Sequence, residues 1–332
     1  MTRYALRRLS FLPIILLAVS IFTFVLLRVL PTEDFADVLG GQGATQAQKE
    51  AIRDKYHLRD PIFPITFDTS APFVGVQRNS QYGNWLGNAL RGDFGATYQS
   101  NKSVRDEFVR RFPATFEIVA LSLLISVVTG VTFGILSALY RNSPLDYGVR
   151  IFAVLGTSIP EFFLLTLLII IPSYLWQYSQ PVGARAPIYE DPITNIRLFG
   201  PAALILGIGG SAGLMRLVRT TMLEVLRSDY VRTARAKGLR QRTVVLTHAL
   251  RNAGTPIVTA IGTAFIAVFG GSVIAERILS IDGNGLFFFF STFSRDLPVI
   301  QFLAVYTAAV VVLSNLVVDL SYAWVDPRVK YS

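Results

Sequence analysis

The chain has 332 residues, 52% hydrophobic and 16% charged, with a mean hydropathy of +0.48 and a formal net charge of +9. A soluble domain is about a quarter charged, whereas here the apolar residues fall in blocks of roughly twenty, enough to cross a hydrocarbon core of about 30 Å. With no cysteine, disulfides, thiolate metal sites and cysteine nucleophiles are excluded, and the positive surplus fits Lys and Arg held on one side of a membrane.

In chain order, Arg3, Arg7 and Arg8 precede an apolar run from Leu9 to Leu27. That run is too long for a signal-peptide core and no small-x-small cleavage site follows, so it predicts an uncleaved first span, about 9–30. The segment 31–112 follows, with a helical-looking stretch from Thr45 to Tyr56, then Pro61, Pro64 and Pro72, then an amphipathic part from Tyr82 to Leu90. The second span is predicted over about 114–139, with Pro113 near its first turn, where proline is tolerated. The third covers about 150–175, kinked at Pro160. A polar, proline-containing insertion at 177–198 leads to a fourth span, about 199–218. The fifth runs over about 255–279 and the sixth over about 299–324. The run Phe287 to Phe290 between them suits either an outer vestibule or an interfacial aromatic belt.

Orientation follows from the basic residues. The segment Arg216 to Arg251 holds nine of them against two acids, Glu224 and Asp229, which places it in the cytoplasm. Six spans then put both termini inside, in agreement with Arg3, Arg7, Arg8, Arg141, Arg150, Arg328 and Lys330. Segment 31–112 falls outside, its ten basic and ten acidic residues being no obstacle in so long a translocated stretch.

The usual marks of catalysis do not assemble. A phosphate-cradling loop needs Gly-Lys followed by Ser or Thr, and the sequence has no Gly-Lys pair; ATP, if used, is bound by another chain. Gly209-Gly210-Ser211-Ala212-Gly213 matches the hydrolase pattern G-x-S-x-G, which needs a strand before it and a helix after it, yet lies within an apolar helical block. The spacing of Gly209 and Gly213, like that of Gly130 and Gly134, suits close helix packing instead. The histidines, His57 and His248, are predicted on opposite sides of the membrane and cannot share a metal; neither a metal nor a cofactor is expected. Glu161, after Pro160, is the deepest ionisable residue, and such residues are functional hypotheses by default. A structural role, a place in the pathway and proton coupling all stay open for it, the last keeping a proton-driven carrier as an alternative.

The informative stretch is Ser228-Asp229-Tyr230-Val231-Arg232-Thr233-Ala234-Arg235-Ala236-Lys237-Gly238-Leu239. Ser228 or Asp229 suits a helix N-terminus and Gly238 suits a left-handed stop. A short, basic, small-faced helix between two spans fits docking on a cytoplasmic partner; a solvated basic loop that only fixes topology is the alternative from composition. This stretch, with His248-Ala249-Leu250-Arg251-Asn252-Ala253 and Pro256, resembles the "EAA" loop of the dipeptide/oligopeptide/nickel permeases, the B-type subunits of those ABC importers. Further matches in order are Arg3-Tyr4 with Leu6-Arg7-Arg8-Leu9, His57-Leu58-Arg59-Asp60-Pro61, Gln81-Tyr82 with Trp85-Leu86, Leu90-Arg91-Gly92-Asp93-Phe94-Gly95, Arg111-Phe112-Pro113-Ala114-Thr115, Ser158-Ile159-Pro160-Glu161-Phe162, Met222-Leu223-Glu224-Val225-Leu226 and Asp326-Pro327-Arg328.

The resemblance implies an all-α polytopic membrane protein with six transmembrane helices and the type I importer permease fold, in a bacterial or archaeal cytoplasmic membrane. It implies a non-catalytic subunit that forms the pathway for peptides, or on the same machinery for nickel complexes, glutathione or oligosaccharides. The implied partners are a C-type permease, two cytoplasmic ATP-binding subunits, an extracytoplasmic solute-binding protein and membrane lipid. It divides the chain into a tail and first helix (1–30), an extracytoplasmic segment (31–112), a transmembrane domain (113–324) with coupling loop 216–252, and a cytoplasmic tail (325–332). Asp229, Tyr230, Arg232, Thr233, Ala234, Arg235, Lys237 and Gly238 would couple to the ATPase. Pro160 and Glu161 would line the pathway or set the kink. The sequence departs from the family in having Arg232 where the loop is named for Glu, in Leu30-Pro31-Thr32-Glu33-Asp34 after the first span, and in an insertion at 62–80.

Overall fold

The computed structural model describes residues 2–29, 45–55, 59–63, 65–67, 74–76, 80–178, 188 and 190–325. The turn Leu30 to Asp34, His57, part of each outer insertion and the tail from Asp326 onward lie outside them. The helices are α1 (Thr2–Val29), α2 (Gln46–Lys55), α3 (Gln81–Ala89), α4 (Val104–Leu139), α5 (Pro144–Ser158), α6 (Glu161–Trp176), α7 (Pro192–Leu226), α8 (Asp229–Ala236), α9 (Gly254–Ile278), α10 (Asn284–Phe293) and α11 (Leu297–Val325). A helical stretch at 241–252 joins α8 to α9. The sequence insertion at 62–80 contributes a small antiparallel pair, Ile65–Phe67 with Val74–Val76, in the register Ile65↔Val76. Apart from that pair and a lone bridge between Ala96 and Ser103, the regular secondary structure among the described residues is helical.

Five helices are long and apolar enough to cross a membrane, and α5 with α6 supplies a sixth span if the broken pair counts as one. The third span is therefore not the kinked helix the sequence predicted. The chain turns by 92° between α5 and α6. A residue before proline is pushed out of the helical region, and Ile159 is extended at φ −92°, ψ 121°. Pro160 has no N–H to continue the ladder and becomes the cap of the next helix. Two other boundaries move for similar local reasons. α4 starts nine residues before Pro113, with Asp106 and Glu107 in its first turn, where acids favour the helix dipole. The predicted domain edge at 113 thus falls inside a helix. α7 starts at Pro192, capped by Asp191, whose carboxylate accepts from the Thr194 N–H at 3.0 Å, so the last part of the 177–198 insertion is helix.

The described chain divides into two compact units, one of residues 111–287 with both chain ends, the other of residues 11–110 and 288–309. In the first, α7 is the central helix and packs most extensively on α9 and α5. Glycines set the closeness. A Cβ on Gly134 would lie 2.7 Å from the Val218 side chain and 2.9 Å from the Met215 carbonyl oxygen, and one on Gly130 would lie 2.8 Å from Leu214. Gly134→Ala is accordingly expected to cost about 1–3 kcal/mol through overpacking. Gly213→Ala, where a Cβ meets open space, should be neutral or slightly stabilising. Thermal unfolding of the purified complex reads both.

In the second unit Phe24, Tyr82 and Trp85 form an aromatic cluster. The Ser20 and Tyr82 hydroxyls bond at 2.8 Å, and the Gln301 amide donates to the Ser20 carbonyl at 2.8 Å. Asp296, 3% exposed, accepts from the Tyr98 N–H at 2.8 Å. Burial pushes its carboxyl up to about 6, against the opposing pull of backbone donors. A carboxyl raised above its unfolded value holds its proton longer when folded, so its contribution is largest below the unfolded value of 3.8 and is lost as pH rises through 6. The thermal stability of the purified complex should fall across that window, and Asp296→Asn should flatten the dependence.

Candidate functional site

The predicted coupling stretch is a two-faced helix. α8 spans Asp229–Ala236, and its Val231 and Ala234 are buried against Val244 and Leu226. The residues between them are exposed, with Arg232 and Asp229 forming a loose surface pair at 3.4 Å. Tyr230, Thr233, Arg235, Lys237 and Gly238 are exposed as well. Of the expected coupling residues, Ala234 lies on the inner face with Val231, where the helical period carries it. Ser228 occupies the cap position, but its hydroxyl turns back to donate to the Val225 carbonyl at 2.6 Å. The stop is as expected: Gly238 has φ +76°, its N–H donates to Arg235 O at 2.9 Å, and the Leu239 N–H donates to Ala234 O at 3.4 Å. This is the paired closure that a left-handed glycine permits.

After α8 the chain re-enters through 241–252, whose middle, Val244–Ala249, is a π-helical segment. Such segments concentrate at functional sites, and no composition signal in the sequence marks this one. Val245 and Ala249 from it pack with Leu214, Val218 and Met222 of α7. The outward-facing helix is thus seated on the helix that forms the centre of the unit.

A buried ion pair ties the same helix to its neighbours. Arg219 of α7 donates from Nε to Asp146 Oδ1 at 2.7 Å and from Nη2 to Oδ2 at 2.9 Å. Asp146, fully buried, also accepts from the Ser137 hydroxyl at 2.5 Å and the Asn142 N–H at 3.0 Å. One carboxylate thus joins the end of α4, the turn after it, the first turn of α5 and α7. The sequence reading used Arg219 as a topological charge and missed Asp146; spacing alone does not bring residues 73 positions apart together.

Glu161 opens α6 at the break. A Cβ on Gly209 would lie 2.6 Å from its Oε1 and one on Gly271 would lie 2.7 Å from its Oε2. The carboxylate thus sits beside the bare backbones of α7 and α9, with no hydrogen-bond or ion-pair partner among the described residues. This changes the role of one predicted packing pair. Gly130 and Gly134 meet α7 closely, Gly209 instead makes room for Glu161, and Gly213 faces open space. Among the glycines of α7 itself, Gly207 on Ile125 and Gly210 on Ser126 make close contacts with α4. Ser211 is fully buried in mid-helix and donates to the Ile208 carbonyl at 2.7 Å, so the G-x-S-x-G stretch lacks the strand–turn–helix elbow.

A second buried carboxylate, Glu276, was also unread in the sequence, where it resembles a charge at a span end. Thr115 donates its hydroxyl to Glu276 Oε1 at 2.6 Å, and the Leu286 N–H donates to Oε2 at 2.8 Å. The Asn284 N–H donates to Thr115 Oγ1 at 2.8 Å. Arg111 bonds Asp282 at 2.8 Å and stacks 4.3 Å from the Phe287 ring centre. The loop between α9 and α10 is thereby folded back on both helices. A Cβ on Gly285 would lie 2.7 Å from Val273 Cα.

Comparison with known proteins gives a consistent set. The family described as "Binding-protein-dependent transport system inner membrane component" matches residues 130–331, and its N-terminal companion matches residues 1–137. A putative peptide permease protein of Brucella suis is 37% identical over 333 residues, 99% of each chain. The dipeptide transport system permease protein DppB of Bacillus subtilis is 35% identical over 339 residues, 99% of this chain and 98% of that one. The oligopeptide transport system permease protein AppB of the same species is 34% identical over the whole of both chains. Among solved structures, the inward-facing MetNI methionine ABC transporter aligns with a TM-score of 0.50 at 19% identity, covering 66% of this chain and 96% of that chain. At that identity the likeness shows the fold alone.

Proposed function

Because the chain belongs to the family of binding-protein-dependent transport system inner membrane components, we propose that it forms part of a peptide pathway whose driving force enters through α8. The chain is a multi-pass inner-membrane permease subunit of an ABC importer, and ATP hydrolysis belongs to partner ATPases. Peptides are the cargo we assign, in keeping with the dipeptide and oligopeptide systems of its relatives. The assembly we assign contains a C-type permease, two cytoplasmic ATP-binding subunits and an extracytoplasmic binding protein. Both termini face the cytoplasm in this reading, because the basic loop 216–251 then lies inside. The domain division keeps 31–112 outside and 216–252 as the coupling loop.

The observation that carries the proposal is the two-sided character of α8, apolar toward its own chain and basic outward, on a seat that includes α7. Arg232, where the family loop has Glu, joins Arg235 and Lys237 on the outward side, so the complementary surface on the ATPase is acidic. Pro160 sets the break between α5 and α6, and Glu161, held beside two glycines, lines the pathway at that break. Reconstitution tests the whole. Peptide uptake into vesicles should require ATP, both ATP-binding subunits and the binding protein, and this chain alone should bind no ATP. Uptake driven by a pH gradient with no ATPase present would sink the proposal.

A further inference from the structure

Within the unit of residues 11–110 and 288–309, α1, α3 and the adjoining part of α11 enclose a cavity of about 620 Å³, in the range of small-molecule sites. Its wall includes Leu12, Leu16, Leu86, Phe302 and Val305 and is almost wholly apolar. A cavity of that chemistry holds no water, and the fluid that meets a transmembrane helix is hydrocarbon. The α1 residues nearby, Ile14 and Phe22, are 60% and 67% exposed.

Two polar groups give the cavity a direction. The indole N–H of Trp85, which lines it, is buried with no hydrogen-bond partner among the described residues. Arg28 lies farther along α1, past Ser20 of the wall and Phe24, whose ring packs on Trp85. Its guanidinium carbon is 3.7 Å from the Phe24 ring centre, and its Nε donates to Gln81 Oε1 at 2.7 Å. Among the described residues no carboxylate pairs with it, Tyr98 lies within electrostatic reach, and the Nη donors of its five-donor fork bond none of them. Guanidinium forks match phosphate. Leu12 and Arg28 are sixteen residues apart, about 24 Å at the helical rise, close to the roughly 20 Å depth of one leaflet with its headgroup.

We propose that this unit binds one phospholipid, with an acyl chain in the cavity, a headgroup or ester oxygen on the Trp85 indole N–H and the phosphate on Arg28. The site needs both ends. An apolar pocket alone would take any hydrocarbon, and a lone surface arginine would take any anion.

The test uses the intact importer, with all its chains, in phosphatidylcholine vesicles doped with phosphatidylglycerol that carries a photoreactive diazirine on one acyl chain. Mass spectrometry after illumination should place adducts on 12–20, 85–90 and 302–309. R28Q should lower that labelling about tenfold, the weight of a charge-assisted hydrogen bond, and R28K should recover part of it. A309F, which fills the cavity, should abolish labelling there and leave it unchanged elsewhere. Diacylglycerol with the same reactive chain and no phosphate should label the site poorly. That arm decides the matter in the wild-type complex even if R28Q does not assemble. Equal labelling by the two lipids, adducts spread evenly over the apolar surface, or exclusion of lipid by another protein chain would overturn the proposal.

Discussion

Asp146→Ala is expected to lower the stability of the purified complex by about 3 kcal/mol, the range for removing one member of a buried pair. The deletion strands Arg219, whose side chain is 19% exposed and so retains some contact with its surroundings, which puts the expected cost at the low end. It also strands the Ser137 hydroxyl and the Asn142 N–H, both aimed at the missing carboxylate. Arg219→Ala leaves Asp146 with those two donors but no positive charge. Removing both side chains should cost less than the sum of the single losses, with a coupling of about 1–3 kcal/mol in a double-mutant cycle. The exchanged pair, Asp146→Arg with Arg219→Asp, should fail to restore stability, since a guanidinium at 146 would face the Asn142 N–H donor. Recovery by the exchange would mean that charge alone matters and that the four-part carboxylate site does not exist as described. Additive single losses would mean that the two side chains do not interact at all. Thermal unfolding of the complex supplies each number.

The spans, the short basic helix and its glycine stop are legible in the sequence because each rests on a local rule. Blocks of about twenty apolar residues must span, and Gly238 supplies a left-handed residue at the end of eight helical ones. The break at Ile159 and Pro160 was legible as a disturbance but not in its size, because proline fixes the local backbone and leaves the exit angle to packing. Asp146 with Arg219, Glu276 with Thr115, and Glu161 between Gly209 and Gly271 were beyond reach for another reason. Each pairing joins residues far apart in sequence, and helical periodicity names a face without naming what the face meets. The π-helical segment Val244–Ala249 is a third kind of miss, since one extra residue per turn leaves composition unchanged. Of the proposed coupling residues, Ala234 lies on the inner face of α8 with Val231, a position that composition alone does not assign.

The two sides of α8 make opposite predictions, and the contrast tests its assignment. Arg235 is exposed near the end of the helix, so Arg235→Glu should change the stability of this chain by no more than about 1 kcal/mol, mostly through an unfavourable dipole term. Against an acidic partner surface the same change sets like charges together, which costs several kcal/mol, so co-purification of the ATP-binding subunits should fall at least about tenfold. Peptide-stimulated ATP hydrolysis should be lost with it. Gly238→Asp should act more weakly and through the backbone, since a residue with a side chain at φ +76° carries a left-handed penalty of about 1–2 kcal/mol. Ala234→Asp works from the other side: it puts an unpaired carboxylate against Val231 and Val244 and should loosen α8 from its own chain. In that variant ATP-binding subunits should still co-purify in part through the outward arginines, while hydrolysis continues without uptake. Arg235→Glu that leaves both ATPase association and stimulated hydrolysis intact would remove α8 as the point of entry for the driving force, even with the family membership and the membrane fold unchanged.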